Sequence, residues 1–124
     1  MPEVKLKHRY ENGYPFIEFE GDLNLANFST LFRLVQLSVM ESDLPAIIDL
    51  SGDVSVWEEL RSLRHGCRGL LGCPFGITYA LFVIVSPQKR FKKLQGLLEV
   101  SCPLRCAESI QEAVDMLNKT QRDA

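Results

Sequence analysis

The stretch Ala46-Ile47-Ile48-Asp49-Leu50-Ser51-Gly52-Asp53-Val54-Ser55 holds the pattern that decides the fold. Ala46 to Leu50 is apolar except for Asp49, a short run with the character of a strand buried on both faces, where alternation is not needed. Behind it, Pro45 forces Leu44 out of the helical region and so ends any preceding helix. Ahead of it, Ser51, Gly52 and Asp53 are turn-forming residues. Ser55-Val56-Trp57-Glu58 then has capping-box spacing, in which the Ser hydroxyl accepts from the Glu backbone and the carboxylate reaches back. The stretch predicts a buried strand, a loop, and a helix that carries Val56, Leu60, Leu63 and Cys67 on one face and ends near Gly66 or Gly69.

Toward the N-terminus the period changes twice. Leu25, Phe28, Phe32, Val35 and Val39, with Leu31 beside them, form an apolar stripe at helical spacing over residues 25–41, and Asn24 is placed to cap it. Before that, residues 4–10 alternate, with Val4, Leu6, His8 and Tyr10 against Lys5, Lys7 and Arg9. Asn12-Gly13 follows, a dipeptide suited to the positive φ angles of a two-residue hairpin turn, and Tyr14–Glu20 resumes the alternation. The chain thus opens with a β-hairpin.

Toward the C-terminus, residues 78–86 (TYALFVIVS) form the most hydrophobic strand candidate. Ser86-Pro87 supplies an N-cap and a first-turn proline for a helix burying Phe91, Leu94, Leu97 and Leu98. Residues 100–106 alternate as Val100, Cys102, Leu104 and Cys106, with Pro103 pointing to an edge strand. A last helix from about residue 107 buries Ile110, Ala113, Val114 and Leu117. The order is β-β-α-β-α-β-α-β-α. It predicts one α/β domain over residues 1–124, with a mixed, mostly parallel five-stranded sheet, about four helices and an N-terminal hairpin.

The chain has 124 residues, 46% hydrophobic and 24% charged, the profile of an ordinary globular domain. Fourteen Lys and Arg stand against sixteen Asp and Glu, a net charge of −2 that provides no overall attraction to nucleic acid. The longest nearly uncharged stretch, Gly69 to Gln88, is interrupted by Gly, Pro and Cys and does not read as a membrane span. The polar, alternating N-terminus lacks an apolar leader segment. A cytoplasmic location is therefore expected, with the four Cys as thiols.

Four stretches in this order resemble the STAS domain of anti-sigma-factor antagonists and stage II sporulation AA-like proteins. They are Glu20-Gly21-Asp22-Leu23-Asn24, Ile47-Ile48-Asp49-Leu50-Ser51, Leu81–Val85 with Ser86, and Cys106 through Ala113. The resemblance implies a regulatory fold acting through protein contacts, without an enzymatic reaction or cofactor. In signalling members a Ser or Thr in an Asp-Ser-Ser-Gly-Leu loop after the central strand is phosphorylated. Laid without gaps from Ile48-Asp49-Leu50, that motif falls on Trp57-Glu58-Glu59-Leu60, which has neither hydroxyl nor glycine. The usual phosphoacceptor is thus missing, and Glu58 and Glu59 stand where a phosphate's charge would be. Acidic residues are also favoured in any first helical turn by the helix dipole.

The candidate binding residues are Ser51, Gly52, Asp53, Ser55, Glu58 and Glu59, at the carboxyl end of the central strand where open α/β sheets bind ligands. A helix N-terminus there would favour a phosphate or carboxylate, whereas the same residues also make a plain turn and cap. Two readings follow: a protein-interaction module, with self-association into a homodimer as one form of it, or a binder of a nucleotide, phosphometabolite or lipid.

Other residues carry less. Cys67 and Cys73 are separated by five residues and Cys102 and Cys106 by three, so only the second pair has zinc-ligand spacing, and no metal is expected. Neither His8 nor His65 has a nucleophile placed beside it by sequence. Lys89-Arg90-Phe91-Lys92-Lys93 reads as a solvated helix face. Residues 70–76 carry no charge, which marks Leu70, Leu71 and Phe75 as a candidate interface or a buried corner.

Overall fold

A computed structural model describes residues 4–62, 82–98 and 105–122, with side chains as far as Thr120. The hairpin is β1 (Lys5–Glu11) and β2 (Tyr14–Leu23), antiparallel with Glu11 opposite Tyr14. Asn12 and Gly13 both take positive φ, 51° and 88°, the mirror-image turn whose twist suits a two-residue connection. Helix α1 (Leu25–Ser42) follows, and Asn24 Oδ1 accepts from Asn27 N at 2.9 Å. Asp43 closes the helix in the left-handed region at φ 58° and donates its N–H to Val39 O at 2.8 Å.

Next come β3 (Ala46–Asp49), β4 (Val54–Val56), a short 3-10 helix (Glu58–Ser62) and β5 (Phe82–Val85). Helix α2 (Gln88–Leu98), β6 (Cys106–Ala107) and α3 (Ile110–Arg122) complete the described chain. Among the described residues the sheet runs β1-β2-β3-β5-β6, antiparallel at the hairpin and parallel at the other pairings, and β4 pairs with β2 beside β3. The predicted mixed, mostly parallel α/β architecture is therefore present.

Both faces of β3 and β5 are covered. On one face α1 and α2 close over Ile17, Phe19, Leu23, Ile48, Leu50, Phe82 and Ile84. Phe28 and Phe32 stack at 4.5 Å, and Phe32 meets Phe82 edge-on at 5.8 Å. On the other face α3 covers Tyr14, Phe16, Ile47, Val83 and Val85. Tyr14 there donates its hydroxyl to Asn118 Oδ1 at 2.6 Å. Each such buried apolar side chain contributes about 1.5–3 kcal/mol.

Four expectations need correction. Among the described residues the sheet has six strands, because Val54-Ser55-Val56 pairs with Gly21-Asp22-Leu23, the end of β2 that runs past β3. Ser55 is therefore an exposed strand residue opposite Asp22 and caps no helix. Val54 and Val56 are buried, and that pairing outweighs a capping box on a residue three positions before the turn. The helix expected there starts only at Glu58, as a 3-10 turn; Leu63, Cys67 and its predicted end lie outside the described residues. Ser86 does not cap α2: its hydroxyl donates to Pro87 O at 3.0 Å, and Pro87 O accepts the first helical bond, from Phe91 N. Finally, α3 begins at Ile110, after a cap at Ser109, whose Oγ accepts from Glu112 N at 3.1 Å. Among the described residues there are three α-helices and the 3-10 turn.

Residues 78–81 and 100–104, Cys102 included, also lie outside the described residues, as do Leu70, Leu71, Phe75, His65 and Cys73. No described helix is long and apolar enough to cross a membrane.

Candidate functional site

The loop after β3 is held from three sides. Leu50 continues the sheet by donating its N–H to Val85 O at 2.8 Å. Asp49, 8% exposed, turns its Oδ1 onto the loop and accepts from both the N–H of Ser51 at 2.9 Å and its hydroxyl at 2.5 Å. This is the local turn an Asp side chain makes with the backbone two residues on. From α2, Arg90 Nη1 donates to Leu50 O and Gly52 O at 2.5 and 2.8 Å. Asp53 O accepts from Gly21 N at 2.8 Å, where β2 leaves β3 and turns to β4; Gly21 adopts φ 126°, a conformation open to glycine. A Cβ on Gly52 would come within 3.1 Å of the Glu20 side chain.

Ser51, Gly52 and Asp53 thus form one exposed turn whose polar groups are largely spent within the protein. Ser55 stands apart on β4. The two glutamates divide. Glu59 Oε2 accepts from Leu25 N at 2.9 Å and so completes, with Asn24, the N-terminal cap of α1. Glu58 points outward, its side chain 75% exposed, with Arg61 at 4.0 Å. Trp57 beside it is anchored by its N–H to Leu23 O at 3.1 Å, yet 40% of its surface is exposed.

Sequence reasoning missed Arg90 as a member of this site. It belongs to the basic cluster on α2, and nothing local marks that it reaches a loop forty residues earlier. The helix N-terminus expected to follow the loop is absent, since β4 intervenes. The structure also brings together a serine and a histidine that the sequence did not: Ser38 Oγ lies 3.3 Å from His8 Nε2. Ser38 is 3% exposed, so its hydroxyl is a buried group given a partner, out of reach of a substrate. Cys106 packs at the edge of the α1–α2 core, where burial, and then Glu108 and Glu112, push its thiol above the ordinary range. Among the described residues no group of three His, Cys, Asp or Glu side chains is placed to hold a metal ion.

No family model and no curated protein sequence matches this chain. Solved structures do. An anti-sigma factor antagonist from Mycobacterium paratuberculosis superposes with a TM-score of 0.59 at 18% identity, over 94% of this chain and 95% of that one. The fold is STAS-like. A protein with a SpoIIAA-like fold from Shewanella loihica aligns over 92% of this chain and 93% of its own, at 12% identity and a TM-score of 0.47. In this STAS-like domain the loop after β3 is hydrogen-bonded to the end of the hairpin strand β2 on one side and to α2 on the other.

Proposed function

We propose that the protein is a non-enzymatic regulatory module that works by protein contact at the carboxyl end of its sheet, without the phosphoserine switch. The observation that carries this reading is the state of the loop. The Ser51 N–H and hydroxyl are taken by Asp49, and the Leu50 and Gly52 carbonyls by Arg90. What the loop leaves outward is Asp53, with Glu58 and the half-exposed Trp57 nearby. An exposed indole with an acidic rim suits a protein surface and repels an anion. The fold neighbour from Mycobacterium paratuberculosis is an anti-sigma factor antagonist, which agrees with a regulatory role.

A phosphate on Ser51 would bring close to two negative charges beside the Asp49 carboxylate, which already holds that hydroxyl. Incubation with a STAS-directed serine kinase and ATP is expected to leave Ser51 and Ser55 unmodified; a stoichiometric phosphate on either, seen by mass spectrometry, overturns that part of the reading. For partner binding, affinity capture from the native host is compared between the wild-type chain and Trp57→Ala/Glu58→Lys. A protein retained by the first and lost by the second, with unchanged melting, is the expected result. A saturable rise in melting temperature with a nucleotide, phosphate or fatty acid would favour the small-ligand alternative instead.

A further inference from the structure

We infer that the outer edge of β1 is a self-association surface, on which a second copy of this chain adds its own β1 antiparallel to make one continuous sheet. This goes beyond the partner reading above and does not depend on the loop after β3.

The hairpin sets which backbone groups are free. In a two-residue turn the flanking residues, Glu11 and Tyr14, exchange their hydrogen bonds, and the pattern then alternates along the strand. Lys5, Lys7, Arg9 and Glu11 therefore bond to β2. Leu6, His8 and Tyr10 direct their N–H and C=O groups to the outer edge, where no described strand pairs with them. Pro15, which has no N–H, stands opposite Tyr10, one of the positions that makes no bond to β2.

The side chains suit a two-fold axis through His8. Leu6 of one copy then faces Tyr10 of the other, and Lys5 faces Glu11, each pair occurring twice. The one like-charged match sets Lys7 against Arg9. Arg9, however, is answered within its own chain, 3.5 Å from Glu11, 3.6 Å from Glu18 and 4.3 Å above the Phe16 ring. Shifting one copy by two residues either sets Lys5 against Arg9 and Lys7 against itself, or leaves fewer outward groups paired.

Exposed apolar surface gathers at the same edge. Five large apolar side chains are exposed among the described residues, and two of them, Val4 at 43% and Tyr10 at 53%, flank the outward-facing side of β1. A third, Leu37 at 55%, is next to Ser38, whose hydroxyl touches His8 of β1. Leu34, one turn earlier, is partly buried there. A second copy on β1 would bring its own Leu34 and Leu37 toward these, covering surface that is otherwise wet.

The test is a charge exchange read by sedimentation equilibrium from micromolar to about millimolar chain. Lys5→Glu or Glu11→Lys alone places like charges opposite each other twice per dimer, and each is expected to weaken association roughly tenfold. The double variant Lys5→Glu/Glu11→Lys restores opposite charges across the edge and is expected to associate more tightly than either single variant, short of wild type because Arg9 loses Glu11. Both residues exchanged are exposed or half-exposed, and matching thermal melts check that each variant folds. Amide exchange supplies a second readout: the Leu6, His8 and Tyr10 N–H groups become protected as concentration rises. A wild-type chain that stays monomeric over the whole range, single variants as tight as wild type, or a double variant no tighter than the singles overturns the proposal.

Discussion

Arg90 shows how one side chain can couple a loop to a helix. Its guanidinium bridges the carbonyls of Leu50 and Gly52 from α2, and charged hydrogen bonds of this kind are each worth about 1.5–3 kcal/mol before solvent screening. Half-exposure lowers the figure, so Arg90→Ala is expected to cost about 1–2 kcal/mol in urea unfolding. Arg90→Lys should recover only part, because a single ammonium on a flexible stem cannot reproduce the fixed guanidinium geometry. At Cys106, burial works on reactivity. Its raised thiol pKa predicts slower alkylation in the folded protein than after denaturation, followed at this residue by peptide mapping, with the rate climbing as pH rises. The linkage has a definite sign: the unfolded thiol ionises first, so this group's contribution to stability is present below the unfolded pKa and is lost as pH rises through the folded one.

Among the elements, two stretches with Ser-x-x-Glu spacing that precede a helical turn have opposite outcomes. At Ser109-Ile110-Gln111-Glu112 it caps α3, with Ser109 Oγ accepting from Glu112 N and Glu112 Oε2 accepting from Glu108 N, both at 3.1 Å. At Ser55-Val56-Trp57-Glu58 it caps nothing, because the two valines are drawn into the sheet. Ser109→Ala is accordingly expected to cost about 1 kcal/mol, and Asn24→Ala a similar amount at the start of α1. Ser55→Ala should stay within about 0.5 kcal/mol of wild type, as exposed positions do. Equal losses at Ser55 and Ser109 in chemical denaturation would contradict the strand assignment of Val54–Val56.

On the scale of the whole molecule, two apolar layers share one sheet. Ile48 points into the layer under α1 and α2, and Ile47 into the layer under α3. Both are fully buried, so Ile47→Ala and Ile48→Ala are each expected to lower unfolding stability by about 2–5 kcal/mol despite facing opposite ways. The hairpin strand behaves differently. Along β1 only Leu6 packs against the core, and Lys7→Ala should leave stability within about 0.5 kcal/mol of wild type. The contrast follows from sheet position: β3 and β5 lie inside, and β1 lies at the rim.

By itself the sequence determined what depends on neighbours a few residues apart. Asn12-Gly13 sets the turn because both positions need positive φ, Asn24 caps α1 from three residues away, and the predominantly apolar runs of β3 and β5 announce burial on both faces. Its four STAS-like stretches also pointed to the right fold. Only the tertiary structure decided the rest. Val54–Val56 became a strand because β2 runs past β3 and offers a free edge, which no local pattern can report. Glu59 was claimed by the N-terminus of α1, thirty-four residues back in the chain, and Arg90 by a loop forty residues away. Such long-range hydrogen bonds depend on where the elements are packed, so the roles of these side chains emerge only when the hydrophobic layers have brought their partners within reach.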